Sequence, residues 1–281
     1  MISARTKVFA LIGDPVEGSL SPAMHNAAFR HLGLDCLYVA FRVPPHLLKE
    51  AVLGVRAMGM GGLNVTFPHK TAILPLLDEL DPSAREVGAV NTVKNEGGRL
   101  VGFNTDGEGA VRSLREKLGS LKGRKAVMLG AGGAARAIAF SLLREGVELT
   151  LLNRTPRKAR RLASELHERG LGKVSWGGLG RGELREALSS ADLLINATPV
   201  GMDERGGTLV THDLMHPDLF VMDLVYHPPE TRLMREARKA GARGENGLGM
   251  LLHQAALSFT IFTGRRAPLQ VMRRALQGVK G

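Results

Sequence analysis

Cysteine is almost missing from this chain: Cys36 stands alone among 281 residues. One thiol cannot close an intrachain disulfide, and no cysteine cluster exists to hold zinc. Cys36 is also a poor nucleophile, because it lies in the apolar run Asp35-Cys36-Leu37-Tyr38-Val39, which reads as a buried strand. Aromatic residues are scarce at 4%, leaving few rings on which nucleic-acid bases stack. That scarcity bears on a net charge of +11, which otherwise invites a phosphate-backbone partner. The lysines and arginines are spread along the chain with no recognised nucleic-acid module, so small anionic ligands are expected and nucleic acid is not. Long hydrophobic runs are lacking too. Nothing approaches the roughly 18 apolar residues of a membrane span, and Val8 to Ile12 is too short for a secretory h-region. The expectation is a cytoplasmic protein with no membrane partner. His25, His69 and His253 show no metal-ligand spacing, read as polar or core histidines, and leave no metal expected.

What remains is a globular composition, 44% hydrophobic and 23% charged, on a chain about twice the usual single-domain length. Short β-branched runs alternate with helical patterns, which predicts α/β architecture with parallel sheets and crossover helices. One series has strands near Val8 to Ile12, Cys36 to Val43 and Gly62 to Thr66, then a hairpin over Asn91 to Phe103 turning on Asn95-Glu96-Gly97-Gly98. A second has strands at Lys125 to Leu129, Val147 to Leu152, Leu193 to Asn196 and Phe220 to Leu224. After Asn246 the pattern is helical, with one helix to about Phe262 and another from Pro268 to Gln277. The expected organisation is an N-terminal α/β domain over 1–107, completed by the helices of 247–281, and a doubly wound Rossmann-type domain over 108–246, with a cleft between them.

The segment Gly130-Ala131-Gly132-Gly133-Ala134-Ala135 ends a predicted strand and opens a helix, the context that a dinucleotide fingerprint requires. Gly130 permits the sharp turn, Gly132 lets backbone approach a pyrophosphate, and Ala135 takes the third small position. By itself a G-x-G-x-x-A match is weak. The next strand ends at Asn153-Arg154-Thr155, where an NAD enzyme would show a carboxylate gripping the ribose. Here Arg154, Thr155 and Lys158 are suited instead to a 2′-phosphate, and cations in a first helical turn oppose the dipole unless an anion joins them. NADP(H) is therefore the expected cofactor. Asn196-Ala197-Thr198-Pro199-Val200-Gly201-Met202 ends another strand at the carboxyl edge and is suited to line the nicotinamide pocket.

Three polar clusters fall at strand ends or helix starts of the first series. In Asn64-Val65-Thr66-Phe67-Pro68-His69-Lys70, alternation puts Asn64 and Thr66 on one face, and Pro68 stops the strand so that Lys70 enters a helix start, where it can exchange protons. In Asn104-Thr105-Asp106-Gly107, Asp106 reads equally as a helix cap. In Ser19-Leu20-Ser21-Pro22 the two hydroxyls can receive a carboxylate at a helix end, although one of them would serve as an N-cap. Asn91-Thr92 adds an amide and a hydroxyl.

Taken in order, Ser19 to Asn26, Asn64 to Lys70, Gly88 to Thr92, Asn104 to Asp106, the Gly130 loop, Asn153 to Thr155, Asn196 to Met202, Asp223 to Tyr226 and Asn246 to Ala256 resemble the shikimate dehydrogenase family over nearly the whole chain. The resemblance implies reversible reduction of 3-dehydroshikimate to shikimate by NADPH, in aromatic amino-acid biosynthesis. It implies that Lys70 and Asp106 form the catalytic pair and that Ser19 and Ser21 hold the substrate carboxylate with Tyr226 nearby. Asn64, Thr66, Asn91 and Gln254 then hold ring hydroxyls. To the cofactor it assigns Gly130, Ala131, Gly132, Gly133, Ala134, Asn153, Arg154, Thr155, Lys158, Thr198 and Gly247. Two departures stand out: Asp203-Glu204-Arg205-Gly206-Gly207 replaces a proline-containing loop, and His227-Pro228-Pro229 follows Tyr226 in place of Asn-Pro-Leu. Rival readings are a quinate/shikimate dehydrogenase using NAD, against which Arg154 argues, and a silent NADP sensor, against which Lys70 and Asp106 argue. The expected assembly is a monomer or homodimer.

Overall fold

The computed structural model describes residues 2–202 and 206–278. The chain forms two compact units, one of Met1–Gly109 with Leu252–Gly281 and one of Ala110–Leu251. The strand and helix pattern had suggested divisions near 107 and 246. Asp203, Glu204 and Arg205 of the departing loop lie outside the described residues, as do the last three residues of the chain.

The first unit opens with β1 (Lys7–Gly13), α1 (Ser21–His31), β2 (Cys36–Arg42), α2 (Leu48–Ala57) and β3 (Gly62–Val65). It continues through β4 (Glu79–Leu80), α3 (Pro82–Val87), β5 (Thr92–Glu96), β6 (Arg99–Phe103) and the start of α4 (Asp106–Leu118). Its sheet runs β2-β1-β3-β5-β6-β4. β1 is parallel to β2 and β3, whereas β5 is antiparallel to both β3 and β6, so this sheet is mixed. The hairpin is the reason. Glu96 pairs with Arg99, and the two residues between them, Gly97 and Gly98, both have positive φ (64° and 98°). Two successive positive φ values make the two-residue turn that matches strand twist, and glycine adopts them without a Cβ penalty. β2 is an edge strand in which only Tyr38 is fully covered, so Cys36 is half-buried and the expectation of a buried strand there is corrected.

The second unit carries β7 (Lys125–Leu129), α5 (Gly133–Arg144), β8 (Glu148–Leu152), α6 (Pro156–Glu168), β9 (Val174–Gly177) and α7 (Arg181–Leu188). Then come β10 (Leu193–Asn196), β11 (Phe220–Asp223), α8 (Arg232–Lys239) and β12 (Arg243–Asn246). Every pairing in the sheet is parallel, in the order β12-β11-β10-β7-β8-β9. This is the doubly wound arrangement, and its order reverses between β7 and β10. β10 and β11 are buried along their whole length, which explains their near-continuous apolar sequences. In α6, Ala159, Leu162, Ala163 and Leu166 recur at helical spacing and form the buried face.

The chain closes with α9 (Leu248–Thr263) and α10 (Leu269–Gly278). Within the first unit α10 packs on α1, and the Phe262 ring lies 4.9 Å from that of Phe9. Among the described residues no helix is long and apolar enough to cross a membrane.

Candidate active site

β3 delivers Asn64 and Thr66 to the carboxyl end of the first sheet, and the chain then folds into a run of tight turns from Phe67 to Ile73. Lys70 stands in those turns. No α-helix begins there, which corrects the expectation that it enters a helix start. Two bonds hold the turn instead: Lys70 O accepts from Val90 N at 2.8 Å, and the buried His69 places Nε2 2.6 Å from Val43 O. Lys70 Nζ donates to Asp106 Oδ2 at 2.5 Å. The lysine side chain is 21% exposed and the carboxylate 5%.

Asp106 does not cap α4. Its backbone N–H donates to Asn104 Oδ1 at 3.1 Å, so Asn104 makes the turn into the helix, and Asp106 keeps both oxygens for side chains. Oδ2 faces Lys70, and Oδ1 accepts from Asn91 Nδ2 at 2.8 Å. Gln254 of α9 joins this group, with Oε1 3.3 Å from Asn91 Nδ2. It comes that close because of Gly109: a Cβ there would lie 2.8 Å from Gln254 Cβ and 2.9 Å from its backbone N. Glycine at that position lets α4 and α9 touch backbone to backbone.

A buried network lies behind the pair. Asn64 Nδ2 faces Asn91 O, Thr92 Oγ1 and Ser258 Oγ, each at 3.0 Å, and Asn64 Oδ1 accepts from the Tyr38 hydroxyl at 2.7 Å. Ser258 Oγ also meets Thr92 Oγ1 at 2.7 Å and donates to Gln254 O at 3.0 Å. Asn91 Oδ1 accepts from Thr105 N at 2.9 Å. Tyr38 stacks on His25, with centroids 4.3 Å apart and planes 4° from parallel. His25 is fully buried with neither ring nitrogen paired, and desolvation pulls its pKa down to about 3. Burial also raises the Tyr38 phenol well above its ordinary range.

At the start of α1, Ser21 N donates to Ser19 Oγ at 3.3 Å, Ser21 is buried and Ser19 half-buried. The helix has Leu20 as its N-cap, with no side-chain cap bond, so neither serine takes the capping role weighed for it.

In the second unit, Gly130 follows β7 with φ +110°, and a Cβ on it would meet Ala197 O at 2.9 Å. Gly132 precedes the first turn of α5 as an uncapped N-cap, and Cβ atoms built on Gly132 or Gly133 meet open space. Ala131 and Ala134 flank them, half-buried. After β8, Asn153 Nδ2 donates to Thr155 O at 3.0 Å, while Arg154, Thr155 and Lys158 are exposed at the start of α6, which has no acidic residue in its first turn. Thr198 Oγ1 donates to Asn196 Oδ1 at 2.7 Å. Gly247 has a packing reason of its own, because a Cβ would lie 2.2 Å from Leu224 O. Tyr226 is half-buried, and burial raises its phenol pKa.

Family models match in three consecutive stretches: a shikimate dehydrogenase substrate binding domain over 11–93, a shikimate / quinate 5-dehydrogenase over 112–202, and a shikimate 5'-dehydrogenase C-terminal domain over 247–277. A shikimate dehydrogenase (NADP(+)) of Methanopyrus kandleri is 54% identical over 279 residues, 98% of this chain and 96% of its own. The chain belongs to the shikimate dehydrogenase family. Among solved structures, a shikimate dehydrogenase in complex with NADP+ superposes with TM-score 0.92 at 46% identity, covering 99% of this chain and 96% of that one. A shikimate 5-dehydrogenase of Thermus thermophilus in complex with NADP(H) and shikimate gives 0.87 at 40%, covering 96% and 98%.

Of the residues that the family resemblance singled out, the first unit brings Lys70, Asp106, Asn91 and Gln254 into one bonded group, with Asn64 one residue behind. The second unit sets Gly130 against the Thr198 loop. Tyr38, Ser258 and Asp223 were not foreseen as site residues. For Ser258 a signal existed: it lies four residues after Gln254 on one helix and therefore on the same face. Tyr38 carried none, since an aromatic in an apolar strand reads as core. Among the described residues no group of three His, Cys, Asp or Glu is placed to hold a metal ion.

Proposed function

We propose that this protein catalyses the reversible, NADPH-dependent reduction of 3-dehydroshikimate to shikimate, a cytoplasmic step of aromatic amino-acid biosynthesis. The observation that carries the reading is the Lys70–Asp106 pair, 2.5 Å apart and ringed by amides and hydroxyls. Hydride delivered to a ketone carbon builds negative charge on its oxygen, which a nearby donor must stabilise or protonate. Lys70 is that donor. Asp106 orients the ammonium and accepts from a ring hydroxyl, fixing the substrate for attack.

Ser19 and Ser21 take the substrate carboxylate, with Tyr226 as a further hydroxyl, and Thr66 and Gln254 hold ring hydroxyls. Asn64 works in one sense only. Its two N–H groups face three acceptors inside the protein and its oxygen already receives Tyr38, so it reaches a ligand through one remaining lone pair. Asn91 acts through Asp106, whose carboxylate it steadies.

The second unit fits NADP(H). Its glycine turn is open at Gly132 and Gly133, where side chains would intrude on a pyrophosphate, and the uncapped start of α5 offers N–H groups to it. Asn153, Arg154, Thr155 and Lys158 surround the position of a 2′-phosphate, where a guanidinium fork suits the oxygens. Thr198 supports the nicotinamide end, and Gly247 keeps the backbone close. When bound, the cofactor supplies the hydride.

The test is a comparison of NADP+ with NAD+ on shikimate and on quinate, followed at the nicotinamide absorbance band. Shikimate with NADP+ should be the fastest combination. Equal or faster turnover of quinate with NAD+ would overturn the assignment.

A further inference from the structure

Asp223, the last residue of β11, is fully buried at 0% exposure. Its in-register neighbour is Asn196, the last residue of β10. Asp223 Oδ1 accepts from Asn196 Nδ2 at 2.9 Å and from Val225 N at 3.1 Å, and Oδ2 accepts from Thr231 Oγ1 at 2.6 Å. Asn196 passes the connection on: its Oδ1 accepts from Thr198 N at 3.1 Å and Thr198 Oγ1 at 2.7 Å, and its Nδ2 donates to Val200 O at 3.1 Å. A single carboxylate thus bolts the loop after β10 to the loop after β11. The loops also meet directly, since a Cβ on Gly201 would lie 3.7 Å from Thr231 Cβ.

Desolvation raises the Asp223 carboxyl above its ordinary range, and an apolar residue of similar volume often serves a fold as well as a buried ionisable one. What an apolar residue cannot supply is three acceptor contacts that set the path of two loops. The loop so fixed is the one behind Gly130, whose turn approaches Ala197 O too closely for any Cβ.

We propose that Asp223 is a positioning residue for the cofactor: through Asn196 it holds the 197–200 loop against the Gly130 turn and so sets the shape of the dinucleotide cradle. This rests on the reading that the second unit binds NADP. Loss of the carboxylate frees Asn196 to turn, and the cradle loses its back wall.

The experiment is calorimetric titration of NADP+ into the full-length wild type, Asp223→Asn, Asp223→Ala and Thr231→Val, with thermal melts of each. Asp223→Ala strands buried donors and should weaken NADP+ about tenfold or more. Asp223→Asn keeps an acceptor oxygen for Asn196 and should restore affinity to within about threefold of wild type. Thr231→Val removes the donor to Asp223 at nearly constant shape, together with the cap bond that Thr231 Oγ1 accepts from Met234 N, and should weaken NADP+ about threefold, a result that decides the matter if the alanine variant does not fold. In turnover, KM for NADP+ should rise with the Kd while kcat at saturation changes less. A purely structural role predicts lower melting temperatures with unchanged NADP+ affinity and KM, and that result would overturn the proposal. Wild type that binds no NADP+ overturns the cofactor reading and this proposal with it, whereas wild-type binding with unaltered variants overturns the proposal alone.

Discussion

Arg154 and Asp106 are the residues at which function turns on single atoms. Arg154 is exposed at the end of β8, where no carboxylate is present to receive a ribose hydroxyl. Arg154→Ala should weaken NADP+ by about tenfold or more, the scale of a charge-assisted hydrogen bond, and leave NAD+ nearly unaffected. Measuring both dissociation constants checks this, and equal losses for the two cofactors would assign Arg154 to something other than the 2′-phosphate. Asp106 is almost fully covered and bonds Lys70 on one oxygen and Asn91 on the other. Asp106→Asn replaces an acceptor with a donor facing an ammonium, and kcat should fall about 10²-fold while NADP+ binds normally. A fall confined to KM would make Asp106 a binding group alone.

At the scale of elements, the crossing of α4 with α9 is the most exposed to test. Alanine is the better helix former by about 1 kcal/mol, so helix propensity alone predicts that Gly109→Ala stabilises the protein. The Cβ would enter the space of Gln254 backbone atoms, and overpacking of that kind costs about 1–3 kcal/mol. A thermal melt should therefore show a lower Tm, and KM for shikimate should rise as Gln254 is pushed away. A raised Tm would mean that the helices do not touch there. The elements legible in the sequence were β1, β2, β3, β7, β8, β10 and β11, which their apolar runs mark, the closing helices α9 and α10, and the hairpin with its Gly97-Gly98 turn. β9 and β12 were missed because both are edge strands, largely exposed, so neither carries an apolar run, and β4 is only two residues long. The helix expected at Lys70 is instead a set of turns held by Val90 and Val43, long-range contacts that no local pattern encodes. The same blindness hid Tyr38 and Asp223, which bond Asn64 of β3 and Asn196 of β10.

For the molecule as a whole, acid stability should depend on His25. Burial holds its folded-state pKa at about 3 against 6.5 when exposed. Between those values the unfolded chain takes up a proton that the folded chain refuses, so stability falls as pH drops, by about 1.4 kcal/mol per unit for this group. Glu236 acts in the same direction. Bonds from Lys239 and His212 hold its carboxyl down to about 2, so the stability it contributes is present above its ordinary value of 4.5 and is lost as pH falls through 2. His25→Leu should make the Tm less sensitive to pH between 6.5 and 4, with Glu236 still titrating below that. An unchanged slope would mean that His25 is not neutral in the fold. The proposed reaction calls on both units, the amine of Lys70 in the first and a cofactor held at the glycine turn of the second. The measurement that reaches that reaction most directly mixes purified protein with shikimate and NADP+ and follows the nicotinamide band, for wild type and Lys70→Ala. Absorbance should grow with wild type and slow about 10²-fold or more with Lys70→Ala at unaltered NADP+ affinity. No growth with wild type, or near-normal turnover without the lysine, would contradict it.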